Sequence, residues 1–97
     1  MRVVVTGISS YLAHTLFPLL EADESVEKIR GLDIKPPPFR SEKLEFFSCD
    51  VRDPDIGRHL QGFDAVIHLA YIVMPIRDER KADDININGS KNVFRAA

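Results

Sequence analysis

A short segment near the start of the chain, VVVTGISSYLA at residues 3–13, has the residue types of a phosphate-binding loop. Three apolar residues precede a turn glycine, and a helical pattern follows it. Where a strand passes through a tight turn into a helix, free backbone N–H groups and the positive end of the helix dipole both face an incoming anion. The segment therefore predicts a site for a phosphate group.

Only one of the three glycines expected in such a loop is present, because the spaced positions hold Gly7, Ser10 and Ala13. In dinucleotide-binding loops these glycines permit a tight turn, close approach of backbone to pyrophosphate, and packing of helix on strand. Gly7 keeps the turn, and alanine is an accepted variant at the packing position. The Ser10 side chain would either crowd the pyrophosphate or donate a hydrogen bond to it. An ordinary loop is the alternative.

A carboxylate at the end of a predicted strand strengthens the nucleotide hypothesis. Asp33 lies 26 positions after Gly7 (33 − 7), near the spacing of roughly 20 residues expected for an acid that binds ribose hydroxyls. Its charge would repel a 2′-phosphate, which favours NAD over NADP, although Lys35 leaves NADP open. The alternative for Asp33 is an ordinary turn residue at a strand end.

Strand and helix patterns alternate along the chain. Apolar and β-branched runs predict four strands, at Arg2–Thr6, Lys28–Asp33, Leu44–Ser48 and Ala65–Leu69. Helical spacing predicts three helices, at Ser10–Ala22, Asp55–Leu60 and Ala82–Ala97. Ser9 or Ser10 can cap the first helix, and Pro18 predicts a kink or an early end in it. The order is typical of an α/β domain with a parallel sheet.

Composition excludes several classes of protein. The 97 residues suit one domain, and 13 basic against 15 acidic side chains leave a net charge of −2 without a basic block for nucleic acid. The single cysteine, Cys49, excludes an internal disulfide and a cysteine-based metal site. No apolar run approaches the roughly 18 residues of a membrane span. We expect a cytoplasmic protein that binds no metal, nucleic acid or membrane.

Four segments along the chain carry a family resemblance. They are VTGISSYLA, CDVRD at Cys49–Asp53, DAVIHLAY at Asp64–Tyr71 and NINGSKNVFRAA at Asn86–Ala97. In this order they resemble the extended short-chain dehydrogenase/reductases, or NAD-dependent epimerase/dehydratases. The resemblance implies that residues 1–97 are the amino-terminal part of an NAD(P)-binding Rossmann domain, without the substrate domain. It also implies an incomplete parallel sheet of about four strands, in the order 3-2-1-4 with flanking helices.

The resemblance also implies which residues contact the cofactor. The Asp50 side chain and the Val51 backbone would contact adenine. The Leu69 and Ala70 backbone would lie along the ribose on the nicotinamide side, and Asn88 would support the active site. The full set expected to bind the cofactor is Gly7, Ser9, Ser10, Tyr11, Leu12, Asp33, Asp50, Val51, Leu69, Ala70 and Asn88.

Simpler roles stay open for several polar residues. Asp50 is otherwise a turn former ahead of Pro54, and Asn88 otherwise bonds backbone within its own helix. His68 is otherwise a sheet residue satisfied by a neighbour. We interpret His14 and His59 as surface residues.

The catalytic pair of the family is absent from this chain. Family members transfer hydride with a tyrosine as acid or base and a lysine four positions later. Thr15 stands at that spacing from Tyr11, and Pro75 at that spacing from Tyr71. We therefore expect the NAD(P)-binding portion of an epimerase, dehydratase or reductase that is not catalytically competent alone. The alternative is a stand-alone nucleotide-binding sensor or an associating scaffold.

The predicted strand order has a consequence for assembly. The fourth strand would form an edge of the sheet, and an unpaired edge recruits other strands. We expect a homo-oligomer, formed through this edge or by exchange of the last helix.

Overall fold

The computed structural model describes residues 1–70 and 84–96, which form an alternating α/β domain. Its elements in chain order are β1 (Arg2–Thr6), α1 (Tyr11–Ala22), β2 (Lys28–Asp33), β3 (Leu44–Ser48), α2 (Gly57–Leu60), β4 (Ala65–His68), a π-helical segment (Asp84–Gly89) and α3 (Ser90–Ala96). Within this part of the chain, every helix is too short or too polar to cross a bilayer.

The four strands form one parallel sheet in the order β3-β2-β1-β4, which confirms the predicted order. Thr6, the last residue of β1, pairs with Leu32 of β2 on one side and with His68 of β4 on the other. Asp33 at the end of β2 pairs with Ser48 at the end of β3. The loops that follow the strands therefore meet at the edge of the sheet formed by the carboxyl ends of the strands, where ligands of open α/β folds bind.

The continuous apolar sequence of β1 is explained by burial on both faces. Val3 and Val5 belong to a core cluster on the face covered by α1, where Phe17 is buried. Val4 belongs to the cluster on the other face, together with Val93 of α3. A strand covered on both sides has no solvent-facing position, so its residues do not alternate in polarity.

Gly31 interrupts the apolar pattern of β2 because another residue fills its space. A Cβ at this position would lie 2.7 Å from Cγ1 of Ile8, which is fully buried. Ile8 directly follows the turn glycine Gly7. The glycine that weakens the strand pattern thus lets the β1–α1 loop, residues 7–10, pack down onto β2.

Helix α1 begins at Tyr11, one residue after its predicted start, and ends at the predicted Ala22. Helix α1 continues through Pro18 to Ala22, so the predicted early end is wrong, while a kink stays a prediction. Pro18 is exposed, and water can satisfy the carbonyl that loses its helical partner there. Helix α2 begins at Gly57 because the preceding residues form a turn in which the Ile56 N–H donates to the Asp53 carbonyl.

The last helix is divided at Gly89. A π-helical segment ends at this residue and α3 follows it, whereas one continuous helix was predicted. Its predicted ends, at 82–83 and 97, lie outside the described residues. Strand β4 ends at His68, one residue before the predicted end.

Candidate functional site

The turn between β1 and α1 requires a glycine for two reasons. Gly7 has a φ of 69°, and its N–H donates to the Leu32 carbonyl at 2.8 Å. A Cβ on Gly7 would lie 2.7 Å from both the Leu69 carbonyl carbon and the Ala70 nitrogen. The turn therefore passes directly against the backbone that follows β4, in a conformation that side chains disfavour.

Ser10 caps the helix that follows this turn. Its Oγ accepts a hydrogen bond from the Ala13 N–H at 3.3 Å, which satisfies one of the free donors of the first helical turn. A hydroxyl that accepts a bond keeps its own hydrogen to donate. Ala13 is buried, in agreement with its predicted packing role. Ser10 thus combines a structural bond with a remaining donor.

Asp33 ties the β1–α1 loop to the end of β2. Its Oδ2 accepts the Ser9 N–H at 3.0 Å, and its Oδ1 accepts the Ile34 N–H at 2.7 Å. The Ser9 hydroxyl donates to the Lys35 carbonyl at 2.6 Å, which adds a second link between the two loops. Because a carboxylate offers about four acceptor positions, Asp33 retains capacity for hydroxyl donors.

Asp50 forms a turn after β3, and its carboxylate is held in place. The turn is closed by the Asp53 N–H, which donates to the Asp50 carbonyl at 2.9 Å. The Arg52 guanidinium donates to both carboxylate oxygens, from Nε to Oδ1 at 3.0 Å and from Nη2 to Oδ2 at 2.7 Å. The turn role and the position at the site, which the sequence left as alternatives, therefore coincide in one residue.

A buried hydroxyl joins the ends of β1 and β4. Thr6 Oγ1 accepts the N–H groups of Leu69 at 3.1 Å and Ala70 at 3.4 Å, and it lies 2.6 Å from Nδ1 of His68. Nε2 of the same histidine lies 2.9 Å from Oγ of Ser90, the first residue of α3. The interpretation of His68 as a sheet residue satisfied by neighbours agrees with this geometry.

The hydrogen bonds assign the protons of this network. Two N–H donors occupy both acceptor positions of the Thr6 hydroxyl, so its hydrogen must be donated to Nδ1 of His68. Nδ1 is therefore unprotonated, and Nε2–H donates to Ser90. The imidazole is neutral, and burial lowers its pKa, which favours that form.

Acidification from about pH 7 to about pH 5 is expected to reduce the stability of the chain through His68. The unfolded histidine has a pKa of about 6.5, and burial lowers the pKa in the folded state. As the pH falls below the unfolded value, the unfolded chain binds a proton that the folded chain resists, so the free energy of unfolding falls. Urea titrations across this range measure the effect.

His59 contributes in the same direction and supplies the comparison. Its ring is half-buried and lies 5.3 Å from that of Phe47, whereas His14 is exposed, as the surface interpretation expects. Burial and the nearby Arg58 and Arg30 charges lower the His59 pKa. His68→Gln and His59→Gln should each flatten the pH profile in part. An unchanged profile in His68→Gln would contradict the assignment.

The ends of the strands enclose a recess of about 200 Å³. We call it the edge recess. It brings together seven of the eleven residues expected to bind the cofactor, and three others complete its lining. The lining consists of Gly7, Ser10, Leu32, Asp33, Ile34, Cys49, Asp50, Val51, Leu69 and Ala70.

Four expected residues lie outside the lining. Ser9 is next to it and bonds Asp33 through its N–H. Tyr11 and Leu12, in the first turn of α1, are 87% and 62% exposed, so their side chains lie in solvent beside the recess. Asn88 lines a separate recess, together with Arg52 and polar residues of α3.

The recess has lining residues that the sequence interpretation missed. Leu32 and Ile34 flank Asp33, and Cys49 precedes Asp50. Their position beside predicted site residues at strand ends was the available signal. Burial, followed by the Asp53 charge, raises the pKa of the Cys49 thiol, which therefore stays neutral. These residues give the recess apolar walls between its two carboxylates.

Sequence comparison finds a dehydrogenase relative across nearly the full chain. L-Arabinose 1-dehydrogenase (NAD(P)(+)) of Haloferax volcanii is 30% identical over 97 residues, which cover 99% of this chain and 35% of that protein. The chain thus spans about a third of the length of this relative.

Solved structures show the same fold. Uronate dehydrogenase from Agrobacterium tumefaciens is 27% identical with a TM-score of 0.83, over 99% of this chain and 35% of that one. A mutant of that enzyme was solved in complex with NAD. Glucuronic acid dehydrogenase from Chromohalobacter salexigens is 25% identical with a TM-score of 0.84, over 99% and 35% of the two chains. The predicted Rossmann-like sheet is therefore confirmed.

The comparison with family models gives a match along almost the whole sequence. Residues 4–97 match the model of the 3-beta hydroxysteroid dehydrogenase/isomerase family. This family is of the NAD-dependent epimerase/dehydratase type that the four motifs resembled. The chain belongs to the 3-beta hydroxysteroid dehydrogenase/isomerase family.

Proposed function

We propose that this chain is the dinucleotide-binding part of an NAD(P)-dependent dehydrogenase or epimerase/dehydratase. The observation that carries the proposal is the edge recess, where a turn glycine at a helix start lies beside two carboxylates at neighbouring strand ends. The helix start suits a pyrophosphate, and carboxylates suit the hydroxyl and amino donors of adenosine. The NAD(P)-dependent relatives support the same ligand.

The geometry of the recess fits one part of such a ligand. Its volume of about 200 Å³ is below the roughly 300 Å³ at which complete ligand pockets begin. The recess extends from the β1–α1 loop to Val51, so we assign it to the adenosine and pyrophosphate. A dinucleotide in this recess would supply the hydride acceptor. The Leu69–Ala70 backbone would lie along the ribose on its nicotinamide side.

NAD is the favoured cofactor because of the hydrogen bond and the charge of the Asp33 carboxylate. Its carboxylate occupies the Ser9 N–H, which would otherwise be a donor for a phosphate. The Asp33 carboxylate accepts hydrogen bonds from ribose hydroxyls, and its negative charge repels a 2′-phosphate. Lys35 keeps NADP as a weaker ligand in this proposal.

The chain alone is expected to bind without catalysing hydride transfer. Neither Tyr11 nor Tyr71 has a lysine four positions later, and the family reaction needs that pair. A homo-oligomer through β4, an edge strand of the described sheet, stays a prediction, as does the cytoplasmic location.

Calorimetric titration with NAD tests the proposal, with Asp33→Ala as the diagnostic variant. The substitution removes a charged acceptor, and hydrogen bonds to charged groups contribute about 1.5–3 kcal/mol, so NAD affinity should fall at least about tenfold. The same titration with NADP should give weaker binding to the unaltered chain.

Asp55→Ala is the matched control, because Asp55 is an exposed carboxylate outside the edge recess. It should bind NAD as the unaltered chain does. Equal affinities for Asp33→Ala and Asp55→Ala would contradict the ribose role of Asp33. If the folded, unaltered chain shows no heat of binding with either dinucleotide, the proposed function is wrong and the scaffold alternative is favoured.

A further inference from the structure

One side chain of α3 reaches back to the turn that follows β3. Nδ2 of Asn92 donates to the Val51 carbonyl at 2.9 Å and to the Asp53 carbonyl at 2.6 Å. Because both partners are carbonyls, which only accept, the amide must present its two N–H groups to them. The side chain thus uses both donors on the Asp50–Asp53 turn.

These two bonds differ in kind from the others in the turn. The bond from the Asp53 N–H to the Asp50 carbonyl closes the turn on itself. The bond from the Arg52 N–H to the Asp50 carboxylate also stays within the turn. Such local bonds fix the shape of the turn but not its position. The Asn92 bonds join the turn to a helix about forty residues away in sequence.

Packing supplies an independent link at the same place. A Cβ on Gly89 would lie 2.5 Å from Cγ2 of Val51, so the backbone immediately before α3 rests directly on this side chain. Val51 is buried and belongs to the same core cluster as Val93 of α3. The turn is therefore pressed against α3 by Gly89 and bonded to it by Asn92.

We propose that Asn92 is a positioning residue for the adenine end of the dinucleotide. The inference rests on the proposed function, in which Asp50 and Val51 contact adenine. Asn92 does not itself line the recess, and it acts by holding the Val51 backbone and the Asp50 carboxylate in register with Asp33 across the recess. Its loss should impair recognition of the base more than binding of the remaining ligand.

The test compares NAD with nicotinamide hypoxanthine dinucleotide, which carries a carbonyl in place of the adenine amino group. The Asp50 carboxylate accepts from the amino group and repels the carbonyl, so the unaltered chain should prefer NAD. Asn92→Leu keeps a side chain of similar size without donors, and the preference for NAD should fall about fivefold to tenfold. Asn92→Gln, which keeps the amide, should restore part of it.

Val26→Ala is the control for stability, because Val26 is buried in the core cluster on the other face of the sheet. It should destabilise the chain and leave the preference for NAD unchanged. Asn92→Ser replaces Asn92→Leu if the leucine variant does not fold. An unchanged preference in the Asn92 variants, or none in the unaltered chain, would overturn the inference alone. Failure of the unaltered chain to bind either dinucleotide would overturn the proposed function and the inference with it.

Discussion

Gly7→Ala is expected to abolish measurable NAD binding and to lower the free energy of unfolding by about 2–5 kcal/mol. Part of the loss comes from the φ of 69°, because a side chain in the left-handed region costs about 1–2 kcal/mol. The remainder comes from the new Cβ, 2.7 Å from backbone atoms of Leu69 and Ala70. Backbone cannot rotate aside as a side chain can, so the loop must move away from β4.

Gly62→Ala is the matched control for this substitution. Gly62 has a φ of 79°, similar to that of Gly7, but the nearest atom to an added Cβ is Nη1 of Arg2, at 4.0 Å. The control therefore carries the conformational cost without the contact, and it should lose only about 1–2 kcal/mol and keep NAD binding. Urea denaturation followed by circular dichroism measures stability, and calorimetry measures binding. Equal losses in the two variants would show that close packing at Gly7 is unimportant.

Gly7 also shows why much of the fold could be predicted. Its turn lies between a continuous β-branched run and a helical pattern, and both are local signals. The β1, β2 and β3 bounds match the prediction because each run is limited by residues that end a strand, such as Asp33 and the loop after it. The parallel order then follows from the alternation of strands and helices.

The interruptions of these patterns could not be interpreted from sequence. Gly31 weakens the β2 pattern, yet it is required because Ile8 fills the space above it. Pro18 should end a helix by its local chemistry, but α1 continues because Phe17 before it is buried and Leu20 after it packs against the same core cluster. Gly89 divides the last helix, and it packs on Val51. In each case a contact with residues distant in sequence determines the local structure.

The same limit applies to the candidate site. Gly7 and Asp33 were found because one directly follows a strand and the other ends one, and ends of parallel strands converge. Asp50 was found only through the family resemblance of the CDVRD segment. Asn92 and Ser90 were not found from the sequence. Helix periodicity does not indicate which residue of α3 contacts a particular loop or histidine. Their roles depend on how α3 packs on the sheet, which no local pattern specifies.

Thr6→Val is expected to lower the free energy of unfolding by about 3 kcal/mol, since valine keeps the shape of threonine and replaces its hydroxyl with a methyl group. The Leu69 N–H retains the Thr6 carbonyl as a partner at 3.0 Å. The Ala70 N–H and Nδ1 of His68, which are partly buried, lose their bonds to the hydroxyl, and losing the partner of such a group costs about 1–3 kcal/mol. NAD binding should also weaken, because the Leu69–Ala70 backbone lines the edge recess.

Thr6→Ser removes the methyl group instead of the hydroxyl and serves as the comparison. Serine keeps all hydroxyl bonds and loses one buried methyl group, at a cost of about 1 kcal/mol. Urea denaturation of the two variants therefore ranks the hydroxyl against the methyl group at a residue that is fully buried. A larger loss for valine means that the hydroxyl joins β1 to β4 and, through His68, to α3. A larger loss for serine would mean that packing alone holds these strand ends together, and the proton assignment at His68 would then lose its basis.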